Sequence, residues 1–165
     1  MIEIRLGQGS GEFRESLAEE NQPMIPVFFC LGMQSMENEN ILIIEDDEDT
    51  GLYLKFFIGK KFQIYLFSST DFYFKYNDSI GCSLIILDLS IRNKIDGEQI
   101  IKKIKSFKEL KNLPLICISA QTSAQEKERT MSLGADEFLL KPVTNEKLMK
   151  VITNLLARTE KADLK

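Results

Sequence analysis

The stretch "ILIIEDDEDT", Ile41 to Thr50, runs four aliphatic residues straight into five acids. Aliphatic residues in succession, not in alternation, mark a strand covered on both faces, as in a parallel sheet between helical layers. Acids crowded at the end of such a strand repel one another. Two explanations fit. The acids are the solvated start of a helix, where negative charge suits the N-terminal dipole, or they hold something positive.

Outward from this stretch the same kind of apolar run recurs at Phe62–Phe67, Leu84–Leu87, Leu115–Ile118 and Glu137–Leu140. Helical periods separate the runs. Asp96 and Gln99 have the spacing of a capping box, and Ile100, Ile101, Ile104 and Phe107 follow as an apolar stripe. Ser123 and Glu126 repeat the capping-box spacing before a more polar helix. Leu148, Val151, Ile152, Leu155 and Leu156 share one face of the last helix, and Leu52, Tyr53, Phe56 and Phe57 share one face of the first. Thr70–Tyr76 is a short aromatic helix. Strict alternation of strand and helix predicts an α/β fold: a five-stranded parallel sheet, doubly wound, with helices on both faces. Five strands favour the flavodoxin-like order 2-1-3-4-5, with ligands at the carboxyl ends of the strands.

Composition narrows the chemistry. The chain has 165 residues, a size typical of one domain, and a net charge of −4 with no basic patch, which argues against nucleic-acid binding. No run of about 18 apolar residues is present, so no spanning helix is expected. Cys30, Cys82 and Cys117 are odd in number and far apart; they form neither a metal spacing nor a disulfide framework and fit a reducing, cytoplasmic setting. The absence of histidine excludes Ser-His-Asp and Cys-His catalysis and any His-ligated metal. Residues 1–38 read as an N-terminal extension. "GQGSGEF" (Gly7–Phe13) looks like a cloning linker, and "MIPVFFCLGM" (Met24–Met33) is apolar but too short to span a membrane. The favoured reading is a leader of cloning or mis-assigned origin; its rival is a native extension that packs Phe28 and Phe29 on the domain or on a second copy. The domain is expected over 39–158, with a short tail at 159–165.

The strand ends carry the chemistry. Strand one ends at Glu45-Asp46-Asp47, strand three at Asp88, strand four at Ser119 and strand five at Lys141-Pro142. In the expected order strands one and three are neighbours, so their acids meet. Carboxylates in one pocket call for a cation, and hard oxygen donors suit Mg²⁺. Asp88 could then act as a nucleophile toward phosphorus, with Mg²⁺, the Lys141 ammonium and the Ser119 hydroxyl sharing the phosphoryl charge. Taken singly, each residue has a plainer reading: Asp88 a turn residue, Ser119 a strand-end cap, Lys141 a surface lysine, Phe138 and Cys117 core.

With "ILIIEDD", "LIILDLS", "LICISA" and "GADEFLLKP" in this order and spacing, the chain from about Glu37 to Ala157 resembles the receiver domain of bacterial two-component response regulators, close in plan to single-domain chemotaxis regulators. The resemblance implies a function: Asp88 accepts a phosphoryl group from a histidine kinase or phosphotransfer protein, with Mg²⁺ as cofactor. It implies metal binding by Glu45, Asp46 (the direct ligand of the pair), Asp88 and the backbone carbonyl of Ser90. It makes Ser119 the switch hydroxyl, Phe138 the switch aromatic, and Lys141 the partner of the phosphoryl oxygens, with a cis Lys141–Pro142 bond. The implied protein is a signalling receiver, not an enzyme in the ordinary sense. An as yet unnamed downstream protein would bind the face formed by about 120–156; a homodimer is left open.

There are departures from the family pattern. Arg92 stands where a proline is usual, and the loop before Asp96 carries one extra residue. Phe138 replaces the commoner tyrosine, and Ser90 and Gln121 occupy positions that tune phosphoryl lifetime. A haloacid-dehalogenase-type phosphatase would need a second aspartate two residues after the first, where this chain has Ser90. A degenerate receiver serving only as a docking module would usually have lost an acid or the lysine, and neither is lost. Few residues follow the last helix, so the expectation is a single receiver without an output domain.

Overall fold

The opening aliphatic run, Ile41 to Ile44, is wholly out of water, and with Asn40 it makes the first strand of the sheet. The computed structural model describes residues 39–76, 80–90 and 95–163. In chain order the elements are β1 (Asn40–Ile44), α1 (Glu48–Ile58), β2 (Gln63–Phe67), α2 (Ser69–Lys75), β3 (Leu84–Asp88), α3 (Gly97–Ser106), β4 (Leu115–Ser119), α4 (Ala124–Ser132), β5 (Glu137–Leu140) and α5 (Asn145–Asp163). All strand pairs are parallel, in the order β2-β1-β3-β4-β5. This is the doubly wound arrangement expected from the alternation. The N-terminal extension 1–38, with Phe28 and Phe29, and the loop position Arg92 lie outside the described residues. The last helix runs past residue 158 to Asp163. Among the described residues no helix is long and apolar enough to cross a membrane.

The strands divide their side chains between two cores. Ile41, Ile43, Leu84, Ile86, Ile116 and Ile118 face one way and pack with Leu54 and Ile58 of α1 and Leu148, Ile152, Leu155 and Leu156 of α5. Leu42, Ile44, Ile85, Leu87, Leu115 and Cys117 face the other way, onto Phe72 of α2 and Ile100, Ile101 and Ile104 of α3. Period-two alternation within a continuously aliphatic strand therefore feeds both layers at once. Each fully buried Leu or Ile contributes about 1.5–3 kcal/mol of transfer free energy. Burial pushes the Cys117 thiol up to about 12, which fits an inert core residue.

Caps set the helix starts. Asp96 accepts from the N–H groups of Glu98 and Gln99, and Gln99 returns a side-chain oxygen to the Asp96 N–H, so the capping box read in the sequence is complete. The second box is not. Ser123 accepts from the Glu126 N–H, but the Glu126 carboxylate accepts from the Ser119 hydroxyl instead. The short aromatic helix is present as α2, capped by Ser68. Phe62 precedes β2 but is buried in the first core.

The first helix turns a different face to the sheet from the one its sequence advertises. Leu52, Tyr53 and Phe56 are 61%, 52% and 70% exposed; of the expected stripe only Phe57 packs on the first core, beside the buried Gly51, Leu54 and Ile58. The loop after β1 is short, and Asp47 caps the helix through the Thr50 N–H, which fixes the rotational phase. In that phase Gly51 meets the sheet. A β-carbon there would lie 3.1 Å from a methyl of Leu66, so the glycine admits a close approach of helix to strand. We expect Leu54→Ala to cost about 2–4 kcal/mol of unfolding free energy in urea titrations. Phe56→Ser should change it by less than about 1 kcal/mol, since Phe56 is 70% exposed and its ring contact among the described residues is a cation–π contact with Lys60. A larger loss at Phe56 would refute this assignment of the helix face.

Candidate functional site

Pairing of β1 with β3, through Ile44 and Leu87, sets Glu45 and Asp88 side by side at the carboxyl edge of the sheet. Both are nearly out of water, at 8% and 5% exposure, and close enough for each to perturb the other's ionisation; Glu45 Oε1 also accepts from the Asp47 N–H at 3.0 Å. Two carboxyls in contact need a shared proton or a cation. Burial, and then the hydrogen bond to Asp88, push the Glu45 carboxyl up to about 7. Asp88 goes the other way. Burial opposes its charge, but the hydrogen bonds from Glu45, Lys141 and the Ser90 N–H together hold it below the usual carboxylate range. Lys141 reaches Asp88 Oδ2 from the turn after β5, and the Ser90 N–H donates to Asp88 Oδ1 at 2.8 Å. The Lys141 N–H continues the β4–β5 ladder onto Ser119 O, and the Lys141–Pro142 bond is cis as expected.

A cavity of about 460 Å³ opens beside this pair, lined by Glu45, Asp46, Asp88, Ser90, Ala120 and Lys141 among others. Asp46 lines it but is also clamped elsewhere: its two carboxylate oxygens accept from the Ser69 N–H at 2.7 Å and the Ser69 hydroxyl at 2.8 Å. Ser69 is wholly buried at the start of α2, so the clamp ties the β1–α1 loop to that helix. Among the described residues no three carboxylates converge on a single point. The donor set nevertheless fits a hard cation. It is all oxygen, it includes two buried carboxyls set against the single ammonium of Lys141, and each Asp46 oxygen keeps a free lone pair beside its bond to Ser69.

Ser119 and Phe138 stand outside this cavity. Ser119 is 1% exposed; its hydroxyl donates to Glu126 Oε1 at 3.0 Å and accepts from the Gln121 N–H at 3.0 Å. Phe138 is half-buried against the second core. The structure thus gathers Glu45, Asp46, Asp88, Ser90 and Lys141 and leaves the two switch candidates behind them. Sequence reasoning missed Ser69, Ala120 and Glu126. Ser69 and Ala120 carried no signal, and Glu126 was read only as a cap. An apolar cavity of about 510 Å³ lies behind Asp88 and Lys141, between α1 and α5, and the Tyr53 hydroxyl donates across it to Asn145 Oδ1. The largest described cavity, about 830 Å³ between α3 and α4, touches none of Asp88, Ser119 or Lys141.

Residues 41–153 match the profile of the response regulator receiver domain. The transcriptional regulatory protein PcoR of Escherichia coli is 30% identical over 127 residues, which cover 73% of this chain and 52% of that protein. The chain spans about half the length of the first curated relatives it matches. The chemotaxis protein CheY4 of Vibrio cholerae superposes with a TM-score of 0.65 at 18% identity, over 71% of this chain and 98% of that one. The BeF3-activated receiver domain of DrrB superposes at 0.63 and 19% identity, over 72% and 97%. At these identities the structural likenesses speak for the fold alone.

The Glu45 shift has a consequence for stability. Its folded-state value, about 7, lies above the ordinary 4.5. A raised carboxyl contributes stability that is present below 4.5 and is lost as pH rises through 7. The metal-free protein should therefore lose roughly 1–2 kcal/mol between pH 5 and pH 8, a figure discounted for solvent screening at the cavity. Glu45→Gln, neutral throughout, should flatten that decline in thermal unfolding with a chelator present. An equally steep decline in the variant would place its origin elsewhere.

Proposed function

The chain belongs to the response regulator receiver domain family, and on that footing we propose that Asp88 accepts a phosphoryl group from the phosphohistidine of a kinase or phosphotransfer protein, with Mg²⁺ bound. The observation that carries this reading is Asp88 itself: buried at the end of β3, yet held anionic by Lys141 and the Ser90 N–H beside an acidic cavity. One Asp88 oxygen attacks phosphorus. As the O–P bond forms, the P–N bond breaks and the imidazole nitrogen leaves with the bonding pair. The Lys141 ammonium, already on Asp88, meets the charge on the transferring oxygens. With a cation bound, Glu45 would ionise and release its proton to solvent, freeing its carboxylate as a ligand. Glu45, Asp46, Asp88 and the Ser90 carbonyl would hold the ion, which offsets negative charge on the acids and on the phosphoryl group.

The signal in this reading is a two-state change. The Ser119 hydroxyl turns to the phosphoryl group, Phe138 moves inward behind it, and the face formed by about 120–156 binds a downstream protein. The domain, whose last helix runs on to Asp163, then acts as a signalling module in a cytoplasmic two-component pathway.

Intact-mass spectrometry after incubation with acetyl phosphate tests the assignment. The wild type should gain one phosphoryl group only with Mg²⁺, and Asp88→Asn should gain none. Lys141→Met should fold and be labelled about a hundredfold more slowly, the scale of removing one charge-stabilising donor. Normal labelling of Asp88→Asn would sink the assignment.

A further inference from the structure

We infer that Glu126 is a positioning residue: its carboxylate holds the Ser119 hydroxyl away from Asp88 in the resting protein and competes with phosphoryl oxygens for that donor. The inference rests on the reading of Asp88 as phospho-acceptor. A serine hydroxyl has a single proton to give. Ser119 spends it on Glu126 Oε1 at 3.0 Å, and the acceptor side of the same oxygen takes the Gln121 N–H. At 1% exposure Ser119 has little access to solvent, so its proton is committed to Glu126 in this structure and has to leave that carboxylate to serve any other acceptor. The neighbouring donor is held as well. The Ala120 N–H, on the wall of that cavity, donates to Ser90 Oγ at 3.1 Å.

The carboxylate on the other side of this bond is poorly satisfied. Glu126 Oε2 is buried and has no hydrogen-bond partner among the described residues. Such an oxygen is costly to keep out of water. Once Ser119 turns to a phosphoryl oxygen, Glu126 loses its described side-chain partner. Arg129 is the cation three residues along the same helix; it lines the same α3–α4 cavity and is paired there with Glu98. Exchange of Arg129 from Glu98 to Glu126 would couple the Ser119 rotation to the gap between α3 and α4. This gives the switch hydroxyl a mechanical consequence at the surface.

The probe is beryllofluoride with Mg²⁺, titrated calorimetrically into wild type, Glu126→Ala, Glu126→Gln, Ser119→Ala and the Ser119→Ala/Glu126→Ala double variant. Loss of one charge-assisted competitor should make Glu126→Ala bind about tenfold more tightly, and Glu126→Gln, which keeps an uncharged acceptor, should fall between it and wild type. In the Ser119→Ala background, removal of Glu126 should change nothing, because the coupling runs through the hydroxyl. Equal or weaker binding by Glu126→Ala, or the same gain without Ser119, overturns the inference while leaving the receiver reading intact. A folded wild type that binds no beryllofluoride overturns both.

Discussion

Asp88 has to stay charged where water is scarce, and the carboxyl edge of the sheet is arranged around that constraint. Burial alone would neutralise it. The ammonium of Lys141, the Ser90 N–H and the proton of Glu45 counter burial, and each comes from a different part of the chain. Only the order with β1 beside β3, and β4 between β3 and β5, brings those parts to one place. The topology is therefore a condition of the electrostatics. The same proximity falls on Glu45, whose carboxyl is pushed up by burial and by its neighbour Asp88, so ionising both groups at once is disfavoured.

The cores explain why this edge can be held so firmly. β1, β3 and β4 are buried on both faces, so a shift of one strand would disturb two packed layers at once. That rigidity is what lets residues at strand ends serve as fixed points, while the loops beyond them remain free to rearrange. Gly51 contributes by bringing α1 close to Leu66. The consequence is an outer face of α1 that carries Leu52, Tyr53 and Phe56 in water.

How much was legible in the sequence follows from the same physics. The strands were legible because burial on two faces leaves continuous aliphatic runs, and Glu45, Asp88, Ser119 and Lys141 were legible because a strand end has a known location. The buried face of α1 was not. Of the stripe Leu52, Tyr53, Phe56 and Phe57 only Phe57 packs on the core; the rest of the contact is made by Gly51, Leu54 and Ile58, a thinner set that includes a glycine, on a helix started by the Asp47 cap. The Asp46–Ser69 clamp joins residues 23 apart with no local pattern. Glu126 misled for a further reason: the capping-box spacing was real for its N–H and not for its carboxylate, which a tertiary partner captured.

That capture bears on how such a site can switch at all. A ligand shifts an equilibrium only by the difference in its interactions with the two states. If Ser119 and the Ala120 N–H pointed into an empty acidic cavity, they would be unpaired before phosphorylation and strongly attracted after it, and the resting state would be costly without being defined. Pairing them with Glu126 and Ser90 gives the resting state its own structure. The pairing is weakened from within, because one Glu126 oxygen is left without a partner. On the proposed reading, a defined but incompletely satisfied resting arrangement is one that charged oxygens on Asp88 would be able to reverse. Phosphoryl oxygens would bring more negative charge than the Glu126 carboxylate, and would bring it beside Lys141. If Asp88 is the phospho-acceptor proposed above, the direction of the switch follows from charge and its threshold from how well Glu126 is satisfied.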